Sequence, residues 1–349
     1  MSNAAVVQPA ADSPLVTWLL PVRDAMPFLP ETLRSLAEQA YPRDRQRVLA
    51  WDNGSTDGSA DALREWIGEG KPLAGEVVVD RPMGLGASLA AMVERADTEL
   101  LARIDGDDRV LPHRLLKQVE FLQRHPRVAA VSGAAELIDA EGKALDVQGV
   151  KPTSDVDVRW QLRFNNPLIH PGVMMRRSAV LEAGNYQDLK PGQDYDLWIR
   201  VAQRHELANL PEPMIAYRVH DRTVTRRDDE SVCEANRAIQ LRNLDALWPG
   251  LSHDQWERLT ERMADPCRED VTLADWRLLG RAAERVAERA GLPASYFKQA
   301  RRYRVQSSSL RSRAIKRWPV AGAVWPMGKR LRDRLAGRPI TETAASRAA

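Results

Sequence analysis

Cysteine is nearly absent, since the 349 residues hold only Cys233 and Cys267. The two lie far apart and match no metal-ligand spacing, which suits a pair of buried thiols in a reducing cytoplasm. Long apolar runs are missing as well. No window reaches the ~18 consecutive apolar residues of a spanning helix. The longest apolar stretch near the C-terminus, residues 318–327, is short and contains prolines. Residues 1–14 have neither a positive n-region nor an apolar h-region, so they read as a flexible N-terminus and not as a signal peptide. An excess of one charge is also lacking. The formal net charge is +3, which gives no overall field favouring nucleic acid, so no nucleic-acid partner is expected. No internal repeat or long low-complexity segment occurs. What is present is 44% hydrophobic and 28% charged, as in a soluble globular protein. The length suits one catalytic domain of ~200–250 residues with an appendage.

Residues 15–20 (LVTWLL) are apolar and partly β-branched, stop at Pro21, and read as a buried strand. Residues 47–51, 76–79, 100–104 and 128–132 read as four more strands. Helices are expected over 30–40, over 57–67 with Thr56 or Asp57 as N-cap, over 84–96, and over 112–124 with Pro112 near the first turn. This alternation predicts an α/β fold with a mostly parallel sheet and helices on both faces. Such sheets bind ligands beyond the carboxyl ends of their strands, where residues 21–23, 52–53 and 105–108 fall. From about Pro152 the rhythm changes. Residues 165–176 are irregular and lead into a strand, 194–203 read as a helix and 214–217 as a strand. Periodic helical segments follow at 231–247, 254–263, 272–290 and 294–304. The expected organisation is a catalytic domain over 15–228, divided near residue 135, then a helical region over 229–306 and a basic tail over 307–349.

Three polar motifs carry chemistry. Asp105-Gly106-Asp107-Asp108 follows an apolar strand directly. Clustered carboxylates repel one another unless a cation neutralises them, and hard divalent cations favour such oxygen ligands together with phosphates. The alternative is a solvated acidic turn that caps the next helix. An EF-hand pattern is absent. The run Asp52-Asn53-Gly54-Ser55-Thr56-Asp57-Gly58-Ser59 is either a turn with a helix cap or a strand end able to read the edge of a base. In Gly192-Gln193-Asp194-Tyr195-Asp196-Leu197-Trp198-Ile199-Arg200, Asp194 is either a cap or a general base. The sequence Gly84-Leu85-Gly86-Ala87-Ser88-Leu89 begins like a dinucleotide fingerprint but has Leu89 at the third glycine position and lies beyond the first βα unit. Lesser signals are Asn165-Asn166-Pro167-Leu168-Ile169-His170-Pro171 and Tyr217-Arg218-Val219-His220, where an isolated histidine is more often structural.

The runs TWLLPVRDAMPFLPETLRSLAEQAYP, WDNGSTDGSADAL, ARIDGDDRVLPHRLLKQVEFLQRHPRVAAVSG, NPLIHPGVMMRRSAVLEAGNYQDLKPGQDYDLWIRV and YRVH resemble family 2 inverting glycosyltransferases in order and spacing, over residues 15–225. The resemblance implies a GT-A fold, a nucleoside-diphosphate sugar donor, Mn²⁺ or Mg²⁺, and inversion at the anomeric carbon. It puts donor contacts on Pro21, Val22, Arg23, Asp52, Asn53, Gly84, Arg103, Asp105 and Gly106. Metal ligation falls on Asp105, Asp107 and Asp108, with His220 approaching the diphosphate or the metal. The family's Glu-Asp catalytic pair falls on Gln193 and Asp194, so Asp194 is the implied base. Gln193, together with His170 and Trp198, is assigned to the acceptor side. Three departures stand out: Asn53 replaces an acid, Gln193 replaces a glutamate, and Arg81 and Met83 replace an asparagine-rich helix start.

An acceptor hydroxyl is a poor nucleophile, and a base that takes its proton is worth ~10²–10⁴-fold. The implied acceptor is a saccharide or lipid-linked saccharide, in cell-surface polysaccharide or glycolipid synthesis. Processive relatives carry spanning helices and a Gln-x-x-Arg-Trp motif. Here Arg317-Trp318 is present but residue 314 is Ala, so single addition is expected. A nucleotidyltransferase would need a basic, Gly-rich triphosphate loop where this chain has PVRDAMPF. A non-catalytic binding or scaffolding module follows if the Gln193 and Arg81 departures are disabling. The tail sets Arg311, Arg313, Lys316, Arg317, Lys329, Arg330, Arg332 and Arg334 around Trp318 and Trp325. Such a segment suits peripheral contact with an anionic membrane from the cytoplasmic side; the alternative is a helix packed on the catalytic domain.

Overall fold

The computed structural model describes residues 13–148, 152–163, 165–220 and 230–247, together with 254–255 and 288. The first half runs β1 (Val16–Val22), α1 (Leu29–Ala37), β2 (Gln46–Asp52), α2 (Ser59–Trp66), β3 (Gly75–Val79), α3 (Leu85–Arg95), β4 (Leu100–Arg103), β5 (Arg109–Val110) and α4 (Arg114–Arg124). The second runs β6 (Val128–Ile138), β7 (Ala144–Gln148), α5 (Asp155–Gln161), a 3-10 turn (His170–Gly172), β8 (Met174–Arg176), α6 (Arg177–Glu182), α7 (Gln193–Val201), β9 (Glu206–Arg218) and α8 (Glu230–Leu247).

Every residue of β1 is buried. A strand covered on both faces belongs inside a sheet flanked by helices, and β1 pairs in parallel with both β2 and β4. The strand order is β3-β2-β1-β4-β8-β6-β9-β5, with β7 on β6. β8 enters antiparallel between β4 and β6, so the sheet is mixed although most of its paired length is parallel. Alternation along β1 divides the core. Trp18 and Leu20 pack with Leu29, Leu33, Leu36 and Leu115 on one face. Leu19 packs with Leu89, Met92, Leu101 and Trp198 on the other. This is the GT-A arrangement expected from the sequence. Among the described residues no helix is long and apolar enough to cross a membrane.

Several local expectations are corrected. Pro21 does not end β1, which continues to Val22. Val22 C=O accepts from the Asn53 N–H on the β2 side and Leu19 C=O accepts from the Ile104 N–H on the β4 side. By alternation the Pro21 nitrogen faces the β4 side, beyond the last β4 pair at Leu19–Arg103, so the missing donor costs no ladder bond. α2 is capped by Gly58 in the left-handed region, and not by Thr56 or Asp57. α4 starts after His113, leaving Pro112 outside it. β6 and β9 are far longer than expected. Pro211 and Glu212 loop out of β9 where the register jumps between Gly133 and Ala134, a bulge that accommodates the prolines. β5, β7, α5 and α6 were not foreseen. The helical segments expected beyond residue 253, apart from 254–255 and 288, lie outside the described residues, as do Cys267 and the basic tail.

Candidate active site

The acid turn sits between β4 and β5. One carboxylate oxygen from each of Asp105, Asp107 and Asp108 lies within 4.8 Å of the others. Three like charges at that distance would open the turn unless its backbone were pinned, and two side chains pin it. The Thr32 hydroxyl, on α1, donates to Gly106 C=O at 3.0 Å and Asp108 C=O at 2.7 Å. Arg218, at the end of β9 and 2% exposed, donates from its backbone N–H to Asp108 Oδ1 and from Nε to Asp107 C=O, both at 2.8 Å. Its Nη1 reaches the carbonyls of Asp139 and Ala140, and Nη2 pairs with Glu31. His220 Nε2 lies 2.9 Å from Asp107 Oδ2 and its ring packs on Phe28.

These residues fit a hard divalent cation. The donors are carboxylate oxygens, and Asp108 Oδ2 is buried without a hydrogen-bond partner, an orphan that a cation would satisfy. Burial pushes the Asp105 carboxyl up to about 6, against the pull of the Arg103 guanidinium, and the Asp107 charge adds to the rise. Burial and the same neighbours push Asp108 well above the usual carboxylate range. Arg103, 2% exposed, pairs with Asp105 through Nη2. Its Nε and Nη1 have no partner.

Across from the acid turn, α7 starts at Gln193, after Gly192 at φ +100°. Asp194 is thus in the first helical turn, where backbone N–H groups of Asp194 and Tyr195 and the Asn166 side chain stabilise its anion. Burial outweighs them and raises its pKa. Asp194 is close enough to Asp105 for the two charges to interact, and Arg103 acts on both. Beneath them the fully buried Arg114 donates to the carbonyls of Arg103, Pro171 and Val173. One guanidinium therefore ties the end of β4 to the turn that carries His170.

Donor-side candidates fall at the ends of β1, β2 and β3. Pro21 and Val22 are buried in β1, and Arg23 is exposed. Asp52 Oδ1 is buried and unpartnered, while Oδ2 accepts from the Ser55 N–H. Asn53 is more committed than expected. Nδ2 donates to Ser88 Oγ at 2.6 Å and Oδ1 accepts from the Met83 N–H at 3.2 Å, so its amide braces the start of α3. A Cβ at Gly84 would meet the movable ends of the exposed Asp188 and Lys190 side chains.

On the acceptor side, His170 and Gln193 are each 8% exposed. Trp198 has no exposed surface and meets His170 edge-on at 6.2 Å, so it backs the histidine where direct acceptor contact was expected. Sequence reasoning missed Asn166, Thr32, Glu31 and Arg218. Asn166 and Arg218 lay inside quoted motifs, but their histidines carried the more familiar chemistry. Thr32 and Glu31 sit on an amphipathic helix whose polar residues gave no sign of facing the turn.

A mixed sheet with an Asp-rich turn after its fourth strand and a carboxylate-bearing helix opposite defines a glycosyltransferase of the GT-A class. The chain belongs to glycosyl transferase family 2, whose family model matches residues 17–182. It is 34% identical over 203 residues to the amylovoran biosynthesis glycosyltransferase AmsE of Erwinia amylovora, covering 57% of this chain and 73% of that protein. It is 27% identical over 145 residues to the O-antigen biosynthesis glycosyltransferase WbnJ of Escherichia coli, covering 41% of this chain and 56% of that one. Among solved structures, S. aureus TarS 1-349 in complex with UDP-GlcNAc superposes with a TM-score of 0.55 at 14% identity, over 93% of each chain. The mannosyltransferase PcManGT of Pyrobaculum calidifontis, in complex with GDP-Man and Mn²⁺, gives 0.52 at 21% identity over 85% of each chain.

Proposed function

We propose that the protein moves one sugar from a nucleoside-diphosphate sugar to an acceptor hydroxyl, with inversion, using Mn²⁺ or Mg²⁺. The acceptor is a saccharide or lipid-linked saccharide in bacterial cell-surface polysaccharide or glycolipid synthesis, in keeping with relatives named for amylovoran and O-antigen biosynthesis. The reading is carried by one observation: carboxylate oxygens of Asp105, Asp107 and Asp108 converge within 4.8 Å of one another at the end of β4, in a chain of glycosyl transferase family 2. In this reading Asp105, Asp107 and Asp108 hold the cation, with His220 beside Asp107. The cation, when bound, supplies a Lewis acid for the departing diphosphate. Asp194 takes the acceptor proton, and Asp52 with the β1 end holds the nucleotide. Residues 15–228 form the catalytic domain and 307–349 meet the inner face of the cell membrane peripherally.

A panel of UDP-, GDP- and dTDP-sugars, assayed for nucleotide release with Mn²⁺, Mg²⁺ or excess EDTA, tests the reading. Release should require the metal and fall by orders of magnitude in Asp107→Ala. Asp194→Asn keeps shape and capping but not basicity, and should lose transfer by about 10²–10⁴-fold while donor affinity stays. Full activity in EDTA, or near-wild-type transfer by Asp194→Asn, would refute it.

A further inference from the structure

Two side chains from the segment between α5 and β8 converge on one oxygen of Asp194. Asn166 Nδ2 donates to Asp194 Oδ2 at 2.7 Å, and His170 Nδ1 lies 3.9 Å from the same oxygen. The far end of Asn166 fixes its orientation. Oδ1 accepts from the Leu168 N–H at 3.1 Å, so the NH₂ group must face the carboxylate.

His170 is fixed from behind. Its Nε2 lies 2.9 Å from the Tyr186 hydroxyl, and the buried Trp198 backs its ring. Burial and the Arg103 guanidinium keep the ring neutral, with one N–H. Two arrangements are open to it. In the first, Tyr186 O–H donates to Nε2 and the ring hydrogen sits on Nδ1, facing Asp194. In the second, the ring hydrogen sits on Nε2 and the hydroxyl turns to Met175 Sδ at 3.7 Å. The second keeps the Tyr186 bond, now from Nε2–H to the hydroxyl oxygen, but sets a bare Nδ1 lone pair against a carboxylate. The first sets donor against acceptor.

We propose that Asn166 and His170, the latter held in place by Tyr186 and favoured as the Nδ1–H tautomer by the carboxylate it faces, are positioning residues that hold the Asp194 carboxylate in the direction of the acceptor. Asn166 does so by a direct bond and His170 by an oriented N–H dipole. The proposal rests on Asp194 being the base. The hydrogen bonds and ion pairs of both side chains go to Asp194, Leu168 and Tyr186 and not to the acid turn, so their loss should leave donor and metal binding intact and misaim the base.

The full chain labelled with ¹⁵N-histidine gives the first test, with His170→Gln identifying the His170 signals. The wild-type ring should be protonated at Nδ1, and Asp194→Asn, which removes the anion facing that nitrogen, should weaken the preference. A wild-type ring protonated at Nε2 overturns the tautomer assignment. Kinetics supply the second test. Nucleotide release is followed with UDP-glucose, UDP-galactose, GDP-mannose or dTDP-rhamnose, whichever is turned over, and water stands in for the acceptor. Asn166→Ala and Tyr186→Phe should each lower kcat by about 10- to 100-fold with donor KM unchanged. A kcat within about twofold of wild type in both variants overturns the positioning role if Asp194→Asn is inactive. Wild-type turnover by Asp194→Asn instead overturns the base assignment, and the positioning role with it.

Discussion

Metal-free protein carries an electrostatic cost at the acid turn, and its size follows from Asp105. That carboxyl is raised from its ordinary 3.8 to about 6, chiefly by burial. The folded state therefore holds a proton that the unfolded chain gives up between those values, and stability falls as pH rises through that window. At about 1.4 kcal/mol per pH unit the full cost at pH 7 is about 3 kcal/mol. Asp105 keeps 31% of its side chain exposed, and solvent screening reduces the cost to about 1–2 kcal/mol. Asp108 acts in the same direction. A cation bound at the turn removes this cost where the carboxylates are ionised and must displace protons where they are not. Somewhat under half of the window lies above pH 5, about 0.5–1 kcal/mol, so the melting temperature with excess Mn²⁺, minus that with EDTA, should be about 1–4 °C larger at pH 7 than at pH 5. Differential scanning fluorimetry at both pH values reads the difference, and subtraction at each pH cancels the titration of the rest of the chain. In Asp108→Asn, Oδ1 still accepts from the Arg218 N–H. That variant should melt higher than wild type in EDTA and lose most of the Mn²⁺ shift. An equal shift at the two pH values, or an undiminished shift in Asp108→Asn, would refute the reasoning.

Other outcomes are expected. Gly192→Ala combines a strained φ of +100° with a Cβ 2.5 Å from Ile239 Cδ1; urea unfolding should show a loss of about 1–3 kcal/mol, and an unchanged midpoint would contradict the packing argument. His220→Ala should weaken Mn²⁺ binding measured by calorimetry while leaving the fold intact, and unaltered binding would remove His220 from the site. Residues 307–349 should support flotation with anionic liposomes at low salt that is lost at high salt. Flotation unaffected by deleting them would leave the tail without a membrane role.

The parallel half of the sheet was legible because β1, β2 and β4 are apolar runs ending in polar clusters, a pattern that local periodicity reports. The half from β6 onward was not. β9 holds Pro211 and Pro213, which read as breakers, and only the register jump opposite Gly133 and Ala134 makes room for them. β5 has two residues and exists because β9 is beside it. At the site, the acids could be found because carboxylates two apart at a strand end are unusual. What holds them could not, since Thr32 and Arg218 act from 74 and 111 positions away in the chain. The Trp198 side chain was assigned to the acceptor side together with His170 and Gln193. It lies one turn after Asp194 on the same side of α7, but its ring is wholly buried behind His170 and does not reach the site.

α8 packs where α7 begins. Ile239 lies against Gly192, Arg242 pairs with Asp196, and Asn243 binds Arg163 and the Leu162 carbonyl. For anyone building chimaeras, this makes residue 228 a poor splice point. A cut there strips Ile239 and Arg242 from the helix that carries Asp194, and a foreign C-terminal half would have to supply replacements. A junction after Leu247 keeps the helix and its latch on the same side of the cut.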